Sequence, residues 1–251
     1  MKIENFSINI AWLYPDLMST YGDRGNIIVL EKRLSWRGIK PVIKKIFIST
    51  PREELENCDL IFMGGAQDRQ QEIVNRDLQK TKATTLKKMI NQGIPGLFIC
   101  GAYQFMGRYY KAADGTVISG LGLFDLYTES PGLTFKRLIG NIVVKLAQDG
   151  KKYIFTGFEN HGGRTYLGKS AKPFAQVIKG YGNNGKDKTE GMIYKKAIGT
   201  YLHGPILPKN PELADWLIEK ALERKYKKKI YLEKLDDRLE NKAREFIINK
   251  L

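Results

Sequence analysis

The sequence predicts an α/β fold: a mixed, mainly parallel sheet flanked by helices and extended by a helical C-terminal tail. Three observations carry this expectation. Through the first half, strand-like apolar runs alternate with segments of helical spacing, the pattern of a parallel sheet with helices on both faces. Beyond Gly115 the apolar runs shorten and are separated by Gly, Asn and Asp, which predicts added antiparallel strands. After Tyr226, the residues Leu232, Leu235, Leu239, Ala243, Phe246 and Ile247 recur at helical spacing.

In chain order, Phe6 to Tyr14 reads as a strand, Asn26 to Trp36 as a helix, Pro41 to Ile48 as a strand and Asp59 to Gly64 as another. A long helical segment follows from about Gln70 to Asn91. The apolar run Ile94-Pro-Gly-Leu-Phe-Ile-Cys100 then forms a buried strand that turns sharply into a helix reaching about Tyr110. Shorter strands are expected over Gly122 to Tyr127, Ile139 to Leu146, Tyr153 to Phe158 and Phe174 to Lys179. Pro208 to Glu223 closes the domain as a helix, with Pro and Asn as its start signals. The division expected is one domain over residues 1–225 and an amphipathic tail over 226–251. That tail needs a surface to lie against, its own domain first and a partner protein second.

A chain of 251 residues with 42% hydrophobic content can bury a full core. Two cysteines and the lack of a Cys/His cluster argue against both a disulfide framework and a zinc site, and fit a reducing cytoplasm. The opening Met-Lys-Ile-Glu-Asn-Phe lacks the apolar segment of a signal peptide, and no run approaches the ~18 apolar residues of a membrane span. The formal charge of +15 raises the question of an anionic partner. It is spread along the chain, with one dense cluster from Arg224 to Lys229. No zinc finger, helix-turn-helix or RNP-type motif accompanies it, so no nucleic-acid partner is expected. A basic surface fits peripheral association with the inner face of the membrane; solvation explains it equally well.

The chemistry is expected at Cys100. A free cysteine is by default inert packing, and Cys58 reads that way. Cys100 differs because it ends a strand and is followed by Gly101 and Ala102, small residues that permit a strained elbow. The N–H groups and dipole of the following helix favour thiolate over thiol and can receive an oxyanion. The chain has two histidines, His161 and His203. His203 ends the apolar stretch from Ala197, so Cys100 and His203 suggest a nucleophile with its general base, and His161 is the rival base. Gly64-Gly65-Ala66-Gln67-Asp68 ends a strand as a small-residue loop whose N–H groups could face a ligand. Phe158-Glu-Asn160-His161-Gly-Gly-Arg164 is either a polar substrate loop or a capped hairpin turn. Gly180-Tyr-Gly-Asn-Asn-Gly-Lys186 nearly spells a P-loop, but Asp187 replaces its Ser/Thr and no helix follows, so this chain is not expected to bind ATP.

Five ordered blocks resemble the class I, triad-type glutamine amidotransferases, a flavodoxin-like fold, in the cobyric-acid-synthase-like branch. They are Tyr21-Gly-Asp-Arg-Gly-Asn-Ile-Ile, Met63-Gly-Gly-Ala-Gln-Asp-Arg69, Ile99-Cys-Gly-Ala-Tyr-Gln-Phe105, Gly157-Phe-Glu-Asn-His-Gly-Gly-Arg-Thr165 and Gly199-Thr-Tyr-Leu-His-Gly-Pro-Ile-Leu-Pro208. More closely, the blocks resemble glutaminase subunits that serve a MurT-type, Mur-ligase-like partner in lipid II amidation. The resemblance implies that Cys100 attacks L-glutamine with His203 as base. It implies an oxyanion hole from the backbone N–H groups of Gly65 and Gly101, and substrate binding by Arg137, Gln104, Asn160 and His161. No metal or cofactor is implied in this chain; ATP and Mg are implied on the ligase, which holds lipid II as acceptor. Related sequences often carry glycine where Ala66 and Ala102 stand, and a Glu two residues after the histidine where this chain has Pro205. The resemblance thus leaves the carboxylate that would orient His203 unassigned: Asp16 and Asp23 are candidates in this chain, and donation by the partner is the expectation adopted. An amidotransferase for another acceptor, such as a corrinoid carboxylate, and a silent protein-binding scaffold are the competing readings.

Overall fold

The structure, a computed structural model, describes residues 6–148 and 150–250. The reading of the first five residues as leaderless, and the outermost ends of the two expected units, lie outside the described residues.

The first half builds the frame of the site. It runs β1 (Ser7–Leu13), α1 (Arg24–Ser35), β2 (Lys40–Ile46), α2 (Arg52–Glu56) and β3 (Leu60–Met63). Next come α3 (Asp68–Asp77), α4 (Ala83–Asn91), β4 (Gly96–Ile99) and α5 (Gly101–Met106). The second half contributes β5 (Tyr109–Lys111), β6 (Val117–Ser119), β7 (Leu126–Glu129), β8 (Leu138–Gln148), β9 (Lys151–His161) and β10 (Arg164–Leu167). It ends with β11 (Ala175–Lys179), β12 (Thr189–Glu190), β13 (Met192–Tyr194), β14 (Ala197–Thr200), α6 (Pro211–Tyr226) and α7 (Arg238–Asn249).

The central sheet has the order β13-β14-β4-β3-β1-β2, parallel except for the β13 edge. Every residue of β3, β4 and β14 is buried, as expected of parallel strands covered on both faces. From β1 the chain steps outward to β2, then back past β1 to β3, so right-handed crossovers set α1 and α2 on opposite faces. Accordingly α1 packs on α6, and α2 packs on α4. The reversal beside β1 is the switch point of a doubly wound sheet, and the loops beyond the carboxyl ends of its strands form a natural crevice. Two smaller four-stranded sheets, β10-β7-β5-β6 and β12-β11-β8-β9, roof that crevice with residues from the second half.

Several boundaries differ from the sequence reading. The long helix is broken by a π-helical turn at Leu78–Lys82. Within it, buried Lys82 bonds Asp77 Oδ2 at 2.6 Å, and Asp77 also accepts from the Tyr14 hydroxyl at 2.8 Å. The helix after Cys100 stops at Met106, short of Tyr110, because the chain turns there into β5. Gly107 marks that turn: any side chain on it would collide with Leu126.

The tail lies on its own domain, with Ile230 and Leu232 packed on the core and an ionic clamp beside them. Arg33, on α1, bonds Asp215 at 2.7 Å and Asp237 at 2.6 Å; Arg37 bonds Asp215 and the Glu233 carbonyl, each at 2.7 Å. Arg244 adds a two-pronged pair with Glu212. The ionic clamp holds the segment before Arg238 irregular, so the tail helix starts later than the spacing suggested. Leu239 and Phe246 of α7 are 79% and 57% exposed. Among the described residues, no helix is long and apolar enough to cross a membrane.

Arg33→Met leaves Asp237 without its guanidinium and Asp215 with half of its partners. Losing one member of a buried ion cluster should cost about 3 kcal/mol in urea unfolding. Limited proteolysis of this variant should release the chain after Tyr226 sooner than in the parent.

Candidate active site

Four loops beyond the carboxyl ends of β1, β3, β4 and β14 converge. Cys100 follows β4 directly and has φ +52° and ψ −105°, a left-handed geometry that only a strongly determined turn holds. Its N–H donates to the Thr200 carbonyl and its own carbonyl accepts from Gln104 N–H, both at 2.9 Å. The elbow is thus fastened to β14 on one side and to α5 on the other. Gly101 has no room for a side chain, because the Gln71 amide packs 2.8 Å from where its Cβ would sit.

His203 follows β14 and is fully buried. It exchanges two backbone hydrogen bonds with Phe158 of β9, at 2.8 and 3.1 Å, which fixes the ring against the roof of the crevice. The ring stands beside Cys100, and its Nδ1 lies 3.5 Å from Asp23 Oδ1. Burial alone would push the imidazole down; the electrostatic pull of Cys100 and Asp23 outweighs it and raises His203 to about 10. At neutral pH the ring is therefore an imidazolium beside the Cys100 side chain.

A carboxylate of this chain, Asp23, one of the two in-chain candidates, faces the His203 ring. It stands between a single 3-10 turn (Thr20–Gly22) and α1, fully buried. Its Oδ2 accepts from Gly65 N–H at 2.7 Å while Oδ1 faces His203. The close fit depends on absent side chains. A Cβ on Gly65 would lie 3.0 Å from the His203 ring and 3.2 Å from Cys100 Cβ; one on Gly64 would lie 2.9 Å from Asp23. Asp16, the other candidate, lines a separate groove with Ile28 and Phe47. One expectation is corrected here: Gly65 N–H, read as an oxyanion donor, is engaged by Asp23.

A cavity of about 250 Å³ opens onto this pair. Cys100, His203, Gln104, Arg137, Asn160 and His161 all line it, so the six expected side chains meet in one place. Arg137 is held at the wall by Asn160, through Oδ1 at 2.8 Å and the backbone carbonyl at 2.9 Å. His161 donates from Nδ1 to the Gly163 carbonyl at 2.8 Å and stacks on Tyr201, ring centres 3.6 Å apart. Burial pushes its imidazole down, against the pull of Glu159, so it is neutral and shapes the wall, while His203 partners Cys100.

Behind the cavity lies Glu190, fully buried, which the sequence reading missed. It accepts from the Thr200 hydroxyl at 2.6 Å and Tyr201 N–H at 2.8 Å, securing the segment that joins the Cys100 anchor to His203. Burial raises its carboxyl to about 7, against those hydrogen bonds. Nothing in the local sequence marks it, because its partners lie across a strand pair. Gln71 was missed for a similar reason, whereas Asp23 stood inside a block already singled out.

Residues 9–211 match the CobB/CobQ-like glutamine amidotransferase domain. A Staphylococcus aureus protein described as the GatD subunit of a glutamine-hydrolysing lipid II isoglutaminyl synthase is 47% identical over 218 residues, covering 87% of this chain and 86% of its own. Its Streptococcus pneumoniae counterpart is 39% identical over 240 residues, covering 96% and 90%. A cobyric acid synthase of Pelotomaculum thermopropionicum is 28% identical over 78% of this chain, but only 37% of its own length is matched. Among solved structures, the acivicin-bound glutaminase domain of Trypanosoma brucei CTPS superposes with a TM-score of 0.55 at 12% identity, covering 90% and 96% of the two chains. A Thermotoga maritima glutamine amidotransferase gives 0.53 at 17%, covering 96% and 94%. At such identities the structures speak for the fold alone.

Iodoacetamide followed by peptide mass spectrometry should label Cys100 and spare Cys58, whose buried thiol is pushed up to about 12. His203→Ala should slow Cys100 labelling about tenfold at pH 7. A second expectation concerns Glu190: with its carboxyl raised from 4.5 to about 7, the folded state binds the proton more tightly, so stability is fullest below pH 4.5 and falls as pH rises through 7. Melting curves of Glu190→Gln should show a flatter decline than the parent between those limits.

Proposed function

The chain belongs to the CobB/CobQ-like glutamine amidotransferase family, and on that premise we propose that it is the glutaminase subunit of a lipid II isoglutaminyl synthase. The observation that carries the reading is the fully buried His203, set between Cys100 and Asp23 on the wall of a cavity that also holds Arg137. The extent of the similarity supports a separate subunit: the chain spans 86% and 90% of the two GatD relatives but 37% of the cobyric acid synthase.

In this reading L-glutamine enters with its α-carboxylate on Arg137, whose guanidinium offers a forked donor, and with Gln104, Asn160 and His161 forming the surrounding wall. Cys100 Sγ attacks the side-chain amide carbon. Gly101 N–H, first in α5 and next to the nucleophile, receives the developing oxyanion; such a donor is typically worth ~3 kcal/mol of barrier. The imidazolium of His203 gives its proton to the amide nitrogen, the C–N bond breaks and ammonia leaves a glutamyl thioester. Water, deprotonated by His203, then releases glutamate. Asp23 holds the imidazole in register throughout, the role of the third member of a triad.

The ammonia passes to a MurT-type, Mur-ligase-like partner. There ATP and Mg activate the D-glutamate α-carboxyl of the lipid II stem peptide, and the product is D-isoglutamine. Work on a lipid-linked acceptor at the inner face of the membrane gives the basic surface of this chain a use.

Ammonia release from glutamine, by the chain alone and mixed with a MurT-type ligase, tests the reading. Release should vanish in Cys100→Ala and fall at least about tenfold in Asp23→Asn, less than in a serine triad because a thiol needs less help. No release in either sample would leave a protein-binding scaffold as the better account. Full activity in Asp23→Asn would return the orienting carboxylate to the partner.

A further inference from the structure

The cavity contains a feature that the reaction as set out above does not use. Gln71 of α3 lines it, is 3% exposed, and donates from Nε2 to the Ala66 carbonyl at 2.9 Å. A carbonyl can only accept, so this bond fixes which end of the amide is which. The other end, Oε1, is buried and finds no hydrogen-bond partner among the described residues. A buried acceptor left in that state costs stability unless something arrives to satisfy it. Gln104 also has an unpartnered Oε1, but its Nε2 bonds the Tyr201 hydroxyl at 3.2 Å, a group that can donate or accept, so that bond leaves its amide unoriented. The cavity wall therefore holds one oriented acceptor, in Gln71, and, in Arg137, one cation.

Their positions separate their tasks. Gln104 lies one helical turn beyond Cys100, with its N–H on the Cys100 carbonyl. Gln71 lies beside Gly101, its Nε2 and Cδ 2.8 and 3.0 Å from where a Cβ on that glycine would be. With the amide carbon of the substrate at Cys100 Sγ and its oxygen on Gly101 N–H, the group flanking both is Gln71. We infer that Gln71 Oε1 accepts a hydrogen bond from the side-chain amide nitrogen of the substrate, which makes Gln71 the residue that distinguishes glutamine from glutamate and its esters. This rests on the glutaminase reading and deepens it. As Cys100 Sγ bonds the carbon and the nitrogen takes its proton from His203, the leaving group gains N–H character and its bond to Gln71 strengthens. Glutamate offers a carboxylate oxygen at that place, which would face an acceptor. The tether to Ala66 ties the reader to the same loop that carries Gly65, so the amide cannot turn to present its N–H end instead.

The test uses the chain with its ligase partner and follows glutamate formation from two substrates, L-glutamine and the γ-methyl ester of L-glutamate, which has the carbonyl but no N–H. Gln71→Met, similar in length and without an acceptor, should lower kcat/KM for glutamine about tenfold to a hundredfold while changing that for the ester less than about threefold. Gln71→Glu, which keeps an acceptor but loses the donor to Ala66, should retain the preference for glutamine over the ester. Equal losses on both substrates in Gln71→Met, with or without a lowered melting temperature, would overturn the inference and leave Gln71 a support for the loop. Failure of the parent complex to consume either substrate would instead overturn the glutaminase reading, and this inference with it.

Discussion

The site depends on how closely Asp23 can approach Gly65 and His203. One carboxylate engages the loop after β3 through one oxygen and faces His203 through the other. Three separate strand ends are thereby held in register by a single side chain. Gly64 and Gly65 leave the space it occupies, and Gly25 lets the first turn of α1 rest against Pro205, just past His203. A Cβ at Gly65 would press on His203 and Cys100, one at Gly64 on Met18 and Asp23, and one at Gly25 on Pro205. The glycines here serve close approach rather than flexibility.

A second layer keeps that arrangement in place. Cys100 is fastened to Thr200, whose hydroxyl is held by Glu190, which also holds Tyr201; the Tyr201 ring stacks on His161. Cys100, His203 and the cavity wall thus share one buried network spanning the central sheet and the roof. Networks of this kind fix a geometry well because each member limits the next. A strained backbone at Cys100, with φ +52°, can persist only in such surroundings.

Much of this was legible in the sequence, and the reasons for the rest are physical. Alternating apolar runs gave the parallel core, since buried strands cannot hide their composition. Cys100, His203, Gln104, Asn160 and His161 stood in polar or small-residue blocks at strand ends, Arg137 was implied by the resemblance, and the fold brings all six to one cavity. Glu190 and Gln71 could not be read, because their meaning lies in contacts made across the fold. Gly65 was read for its type and misjudged for its partner: a backbone N–H in a glycine loop looks available until a carboxylate from forty residues earlier is found on it. The tail shows the limit of periodicity. Apolar residues at helical spacing gave a helix, but Arg33 and Arg37 decided how the segment is held.

The two thiols lie at opposite ends of the sheet, Cys58 before the start of β3 and Cys100 after the end of the neighbouring parallel strand β4. Cys100 lines the open cavity, so it is the thiol that a small oxidant entering there would meet, and its first product would be a sulfenic acid. Cys58, more than a strand's length away and buried, cannot reach it to form a protective disulfide. Rescue from peroxide would fall to a small thiol able to enter the substrate cavity. Bound substrate, by filling that cavity, would then guard the sulfur, tying the durability of the protein under oxidative stress to its supply of amino acid.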